Sequence, residues 1–258
     1  MAAWNAEVYA RVSAPQLEWG KRVLARLELA GDETVLDAGC GTGRLTELLA
    51  ERLPRGHIVA LDASSAMLVK AREVLARFGD RVTFVQADAA RFTLPSPVDV
   101  VFSTATFHWV LDHDALFERL HACLVAGGRL VAQWGGGDNL RRIRSRGATL
   151  RASTPFAAHF AGFAEPWNYA TAEQTQARLQ HHGFVEVKAW LEEAPYRFAD
   201  APSFREFVAH VVLRDDLACL RDEAARERFL DAIVEPAARD DPPFVLDYRR
   251  LNADARRG

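Results

Sequence analysis

Apolar positions in the first half of the chain alternate between short continuous runs and helically spaced stripes. Thr34-Val35-Leu36, His57 to Leu61, Val82 to Val85 and Val98 to Phe102 are runs too short for helices and read as strands. Between them Leu45, Leu48, Leu49 and Leu53 recur three and four residues apart, as do Met67, Leu68, Ala71 and Leu75. That spacing predicts helices with one buried face. An earlier helix is expected from Pro15 to Ala30, carrying Leu17, Val23, Leu24 and Leu27 and closed by Gly31. Pro54 and Gly56 stop the second helix, and Ser64 or Ser65 can cap the third. A further helix from about Asp114 to Leu124, with His113 as its expected cap, leads through Gly127-Gly128 to a fifth strand, Arg129 to Trp134. Strands without polar alternation are buried on both faces, which means a parallel sheet between two helical layers. Right-handed crossovers make such an α/β sheet doubly wound.

The rhythm changes after Trp134. Residues 135–182 read as helix and irregular loop, with Phe156, Phe160, Phe163, Trp167 and Tyr169 among prolines and glycines. Phe184 to Trp190 alternates like a strand, helices are expected around Ser203 to Val212 and Leu217 to Val234, and Phe244 to Leu251 reads as a last strand.

Composition narrows the class. The 258 residues are 49% hydrophobic and 26% charged with a net charge of −3, as in an ordinary globular protein. No apolar run approaches the ~18 residues of a membrane span. The near-zero charge leaves no electrostatic footprint for nucleic acid. Three widely spaced cysteines, Cys40, Cys123 and Cys219, exclude a disulfide scaffold and a CxxC metal motif. With no secretory signal in Met-Ala-Ala-Trp, the expectation is a cytoplasmic protein with neither metal nor membrane partner.

The main chemical signal is Val35-Leu36-Asp37-Ala38-Gly39-Cys40-Gly41-Thr42-Gly43-Arg44, between a strand and a helix. Glycines there let the turn close and a ligand approach the backbone. By itself the triplet could be an ordinary strand-to-helix turn. The dinucleotide fingerprint is G-x-G-x-x-G; here the spacing is G-x-G-x-G, which argues against a nicotinamide oxidoreductase. A carboxylate at Asp37 suits a cationic amino-acid ligand better than a pyrophosphate. Asp62 closes the second strand, about 20 residues past the loop, where an acid can accept both hydroxyls of a ribose. Asp88 follows the third strand, where it and the Ala89 amide could hold an adenine edge. One acid at a strand end is usually a cap or a solvated turn. Three in step with the strands point to the ligand crevice at the carboxyl ends of an open sheet.

The set Val35 to Gly43, Asp62, Asp88-Ala89, Val98 to Ser103 and Val125 to Leu130 resembles the class I S-adenosylmethionine-dependent methyltransferases over roughly residues 30 to 135. Ser103 to Val110, Asp112-His113-Asp114 and the tail around Asp247-Tyr248 further resemble the trans-aconitate methyltransferase (methyltransferase type 11) group. The resemblance implies a seven-stranded, mostly parallel Rossmann-like sheet with a helical cap inserted after strand five. It implies S-adenosylmethionine as cofactor, with Asp37, Gly39 and Gly41 on its methionine part, Asp62 on the ribose, Met67 beside the adenine and Asp88-Ala89 on its edge. Ser103 would face the methionine moiety. Ala126 stands where relatives usually carry proline, away from that site. The chain is then expected to be one domain, 1–258: an N-terminal helical lid (1–30), a cofactor-binding core (31–134), a substrate cap (135–182) and the last strands and helices (183–258). A non-catalytic binding module is disfavoured because every cofactor portion keeps its expected partner.

Methyl transfer from a sulfonium needs alignment and exclusion of water more than catalytic groups. A carboxylate acceptor needs no base, whereas a hydroxyl, amine or carbon acceptor does. His108 is the candidate base, or an aromatic wall of the substrate pocket together with Trp109. Tyr9, in the N-terminal stretch, is a candidate substrate contact or a packing residue. Arg141, Arg142, Arg144, Arg146 and Arg151 fall within 139–164, a segment rich in arginine. Such a run is commonly a solvated helix face, or else it marks an anionic small-molecule substrate, with Arg144 the candidate contact. The expected reaction is methylation of a small molecule, such as a carboxylate; the alternative is O- or N-methylation of a natural-product scaffold.

Overall fold

The computed structural model describes residues 14–258 together with residues 6, 7 and 11. Tyr9 and nine other residues of the expected lid lie outside the described residues. Those described form two compact units. No described helix is long and apolar enough to cross a membrane.

The larger unit comprises 14–137, 167–192 and 250–258. It holds β1 (Thr34–Ala38), β2 (His57–Asp62), β3 (Val82–Gln86), β4 (Val98–Thr104) and β5 (Leu124–Gly135). Together with β6 (Phe184–Glu193) and β9 (Arg249–Arg257) they form one sheet in the order β3-β2-β1-β4-β5-β9-β6. β1 to β5 are parallel, and β9 runs antiparallel to β5. The chain leaves β1 toward β2 and β3, then returns to place β4 on β1's other side, so the strand order reverses between β1 and β4. Ligands of open α/β sheets bind beyond the strand ends at such a reversal.

Alternate strand residues enter opposite cores. Leu36, Leu61, Val101 and Leu130 point into one, with Leu116, Phe117 and Leu120 of α4 (His113–Cys123). Val35, Ala60, Val100 and Phe102 point into the other, against α1 (Ala14–Ala25), α2 (Arg44–Glu51) and α3 (Ser65–Leu75). Burial on both faces is why these strands are mostly apolar. α6 (Ala172–His181) adds Leu179 to the first layer.

Three local expectations are corrected. The last sheet strand is Arg249–Arg257, not Phe244 to Leu251; Val245–Leu246 is a separate short strand, β8, paired with β7 (Tyr196–Arg197). β9 is hidden in the sequence because buried polar residues interrupt its apolar pattern. Asn252 is fully buried, where Gln133 donates to it at 2.8 Å, and Arg26 bonds both Asn252 and Asp254. The cap of α4 is Asp112, whose carboxylate accepts from the Ala115 amide at 3.0 Å. His113 is instead buried and bonds the Phe107 carbonyl at 3.0 Å. Finally, β5 starts at Leu124, and a register shift beside Val98 absorbs Gly127-Gly128.

The smaller unit groups 138–166 with 193–249. It contains α5 (Arg141–Arg151), α7 (Ala201–Phe207) running into a π-helical turn, α8 (Arg214–Cys219) and α9 (Glu223–Ala238). Its core is aromatic: Phe156 meets Phe229 at 5.1 Å, Phe198 meets Phe207 at 5.0 Å, and Phe204 meets Phe244 at 5.6 Å. The aromatic run of the sequence is thus divided, since Trp167 and Tyr169 belong to the sheet-bearing unit.

Candidate active site

β1 ends in Asp37-Ala38, and the chain turns at once through Gly39. The Gly39 and Cys40 amides both donate to the Leu61 carbonyl on β2, at 2.7 and 2.9 Å, pinning the loop between the two strand ends. Gly39 has φ +91°, and a Cβ there would stand 2.1 Å from the Thr106 hydroxyl. Only glycine satisfies both conditions. Gly41 has φ +54° with nothing within 4 Å of the space its Cβ would fill, so that side of the backbone is open.

Two carboxylates flank the loop. Asp37 is 2% exposed and accepts from the Thr46 hydroxyl of α2 at 2.7 Å. Burial pushes its pKa up to about 7, assisted by the charge of Asp62 and opposed by the Thr46 bond. Asp62 accepts from the Gly41 amide at 2.9 Å and from the Ser64 amide at 2.8 Å. Burial raises its pKa as well, against those two amides. Ser64 caps α3 by accepting from the amide of Met67, a buried residue, at 3.3 Å. The Ala87 amide donates to the Asp62 carbonyl at 3.2 Å. Just beyond it, exposed Asp88 accepts from the Ala90 amide at 2.8 Å, and Ala89 is buried.

From β4, Ser103 donates to the Ala38 carbonyl at 2.6 Å and is 1% exposed. Thr106 donates toward the Gly39 carbonyl at 3.3 Å and the Thr104 carbonyl at 3.0 Å. The 3-10 turn Phe107–Trp109 then buries His108. His108 stacks on Tyr169 with centroids 5.7 Å apart and meets Trp109 at 4.8 Å; Trp167 stacks on Tyr169 at 5.6 Å. The Gly135 amide donates to His108 Nδ1 at 3.3 Å. Burial holds the ring's pKa well below the usual histidine value, with the charges of Arg250 and His113 adding to that. A neutral imidazole that accepts at Nδ1 carries its proton on Nε2.

Similarity to known proteins shows the family. The methyltransferase-domain family matches residues 35–128. Over 98% of the chain and 95% of the relative, the sequence is 34% identical to a trans-aconitate 2-methyltransferase of Methylobacterium radiotolerans. It is 35% identical to that of Methylobacterium nodulans, over 100% of the chain and 99% of the relative. The chain belongs to the class I S-adenosylmethionine-dependent methyltransferases, in the group of the trans-aconitate 2-methyltransferases.

Solved structures carry the fold alone. Phosphoethanolamine N-methyltransferase 2 of Haemonchus contortus, with S-adenosylmethionine, superposes with a TM-score of 0.63 at 18% identity, over 98% of this chain and 56% of that one. The cyclase SpnF superposes at 0.60 and 21% identity, over 93% and 80%. One architecture thus carries unlike reactions, and it is the full-length sequence relatives that make this chain a methyltransferase.

The residues of the methyltransferase fit its cofactor. S-adenosylmethionine carries a sulfonium, an ammonium and a vicinal diol. The loop offers two carboxylates bonded by amides and a hydroxyl, beside backbone left open at Gly41. Of the residues singled out in the sequence, Asp37, Gly39, Gly41, Asp62 and Ser103 share bonds around the ends of β1, β2 and β4, and Met67, Asp88 and Ala89 adjoin them along the chain. Arg144 belongs to the smaller unit, where it donates to the Asn139 carbonyl at 3.4 Å. Thr46 and Thr106 had not been singled out. Thr106 lies within the Ser103 to Val110 segment that carries the family resemblance, and that is its signal in the sequence. Thr46 has none beyond following Asp37 by nine residues. Cys40 is no nucleophile: burial and the charges of Asp37 and Asp62 push its thiol pKa well above the usual value.

Proposed function

We propose that the methyltransferase esterifies a carboxylate of a small polycarboxylate, as the names of its trans-aconitate 2-methyltransferase relatives suggest. The observation that carries this is the state of His108. Its Nδ1 lone pair is engaged by the Gly135 amide and its Nε2 bears the proton, so the ring offers a donor and not a base. An ionised carboxylate is a nucleophile without proton removal. His108 then orients the acceptor through Nε2–H, with Trp109 as a wall, and Tyr9 remains a candidate contact.

On the cofactor, Asp62 takes the ribose hydroxyls, Asp88 and the Ala89 amide read the adenine edge, and Met67 lies against its face. Asp37, with the Gly39 and Gly41 backbone and Ser103, serves the methionine part. The bound cofactor supplies an activated methyl group; the protein aligns it and keeps water away. An anionic small molecule, rather than nucleic acid, is the partner that goes with a net charge of −3 and an arginine-rich segment. Three free cysteines suit a reducing cytoplasm.

Mass spectrometry of labelled methyl transfer into pooled organic acids tests the reading. Methyl esters of di- or tricarboxylates are expected. Label appearing only in hydroxyl, amine or carbon acceptors would overturn it.

A further inference from the structure

The smaller unit contains a cavity of about 640 Å³, within the roughly 300–1,000 Å³ typical of small-molecule sites. One wall is the start of α5. Successive helical residues are turned by about 100°, so Arg141, Arg142, Ser145 and Arg146 share a face, and all four line the cavity. Arg144 falls on another side of the helix and is not part of this wall. Asp247, Tyr248 and Arg249, between β8 and the body of β9, supply more of the lining.

Its four arginines differ in how they are matched. Arg146 bonds Asp240 at 2.5 Å, and Arg249 bonds Glu193 at 2.9 Å. Arg141 only approaches Asp138 at 4.0 Å, with both side chains largely exposed. Arg142 has no ion-pair partner among the described residues. Asp247, which also lines the cavity, spends one oxygen on the helix start, accepting from the Arg142 backbone amide at 3.1 Å. α5 has no acid in its own first turn, so Asp247 serves there as a capping group from afar. Two adjacent guanidinium groups are left to face the cavity, each a planar fork suited to one carboxylate.

We propose that this cavity recognises a small polycarboxylate, with Arg142 taking one carboxylate through paired N–H···O bonds and Arg141 a second. The assignment rests on the carboxylate reading of the acceptor given above. It also turns the arginine-rich segment from a general sign of charge into two named contacts.

Calorimetry on the full chain, saturated with S-adenosylhomocysteine so that no transfer occurs, tests it with tricarballylate as the probe. Tricarballylate is expected to bind and its trimethyl ester not to. Arg142→Gln is expected to weaken binding by about tenfold to a hundredfold, and Arg141→Gln by less. Arg228→Gln, which removes an exposed charge on α9, is expected to leave binding intact. Thermal unfolding of each variant reports that the fold is retained. If tricarballylate binds the native chain and Arg142→Gln equally well, the cavity assignment fails while the acceptor reading stands. If the native chain does not bind tricarballylate, the proposal fails, and the labelled-transfer experiment decides the acceptor reading separately. If binding depends on Arg142 but only hydroxyl or amine acceptors are methylated, the anion site stands and the acceptor reading falls.

Discussion

Asp62 and Asp216 are both acids sunk in the protein, and they are held in opposite ways. Asp62, in the sheet-bearing unit, accepts from two backbone amides, and its neighbour Asp37 from a threonine hydroxyl. No arginine or lysine is ion-paired to either among the described residues. Asp216, in the smaller unit, is fully buried and bonded at 2.6 Å to Arg151, which also pairs with Glu165 and lies over Phe163. The first arrangement keeps negative charge available for a cation from outside. The second consumes its charge internally. On the proposed assignment, a buried acid serves a ligand where no cation of the chain is paired with it.

The widest test of that contrast is Arg151→Ala. Stranding Asp216 should lower the unfolding free energy by about 3 kcal/mol, read by urea denaturation, with cofactor affinity retained. Loss of cofactor binding in a folded variant would break the distinction. Next is Gly39→Ala, which forces a Cβ against Thr106 at positive φ and should cost about 2–3 kcal/mol together with cofactor binding. Asp62→Ala should weaken S-adenosylhomocysteine binding by about 2 kcal/mol in calorimetry, since two loop amides lose their acceptor along with the ribose; an unchanged affinity removes the ribose assignment.

A pH series sharpens the comparison further. Asp37 is protonated below about pH 7 in the folded chain, and a cationic cofactor favours its charged form. S-adenosylmethionine affinity should therefore fall about tenfold per unit below pH 7, and Asp37→Asn should flatten the profile. For stability the sign is the reverse. Asp37, raised to about 7, and Asp216, raised to about 6, both ionise more readily unfolded, so stability declines as pH rises from about 4 through those values. The smallest effect is expected at Gly162, whose φ is +79° with nothing within 4 Å of an added Cβ. Gly162→Ala should cost only about 1 kcal/mol, by thermal unfolding.

The same contrast explains what the chain's pattern revealed. β1 to β4 are legible because their cores are runs of apolar residues, most of them buried, and the glycine loop and its acids because their work is done by backbone and near neighbours. β9 was illegible because Asn252 and Asp254 are satisfied by Gln133 and Arg26, more than a hundred residues away in sequence. Helical spacing alone likewise cannot tell which arginines are already matched. Arg146 and Arg151 are, and Arg142 is not, only because of where Asp240 and Asp216 fall. His113 looked like a cap from its position, but a carboxylate one residue earlier takes the amide at the helix start.

The Asp62 carboxylate fastens Gly41 on one side and Ser64 on the other, so the turn above β1 and the turn above β2 share a single clasp. A side chain one methylene longer, as in Asp62→Glu, would have to displace one of them. On the proposed ribose assignment, loop shape and sugar recognition are inherited as one trait: a descendant chain that drifts at this position gives up both together, and one that changes its acceptor must do so elsewhere.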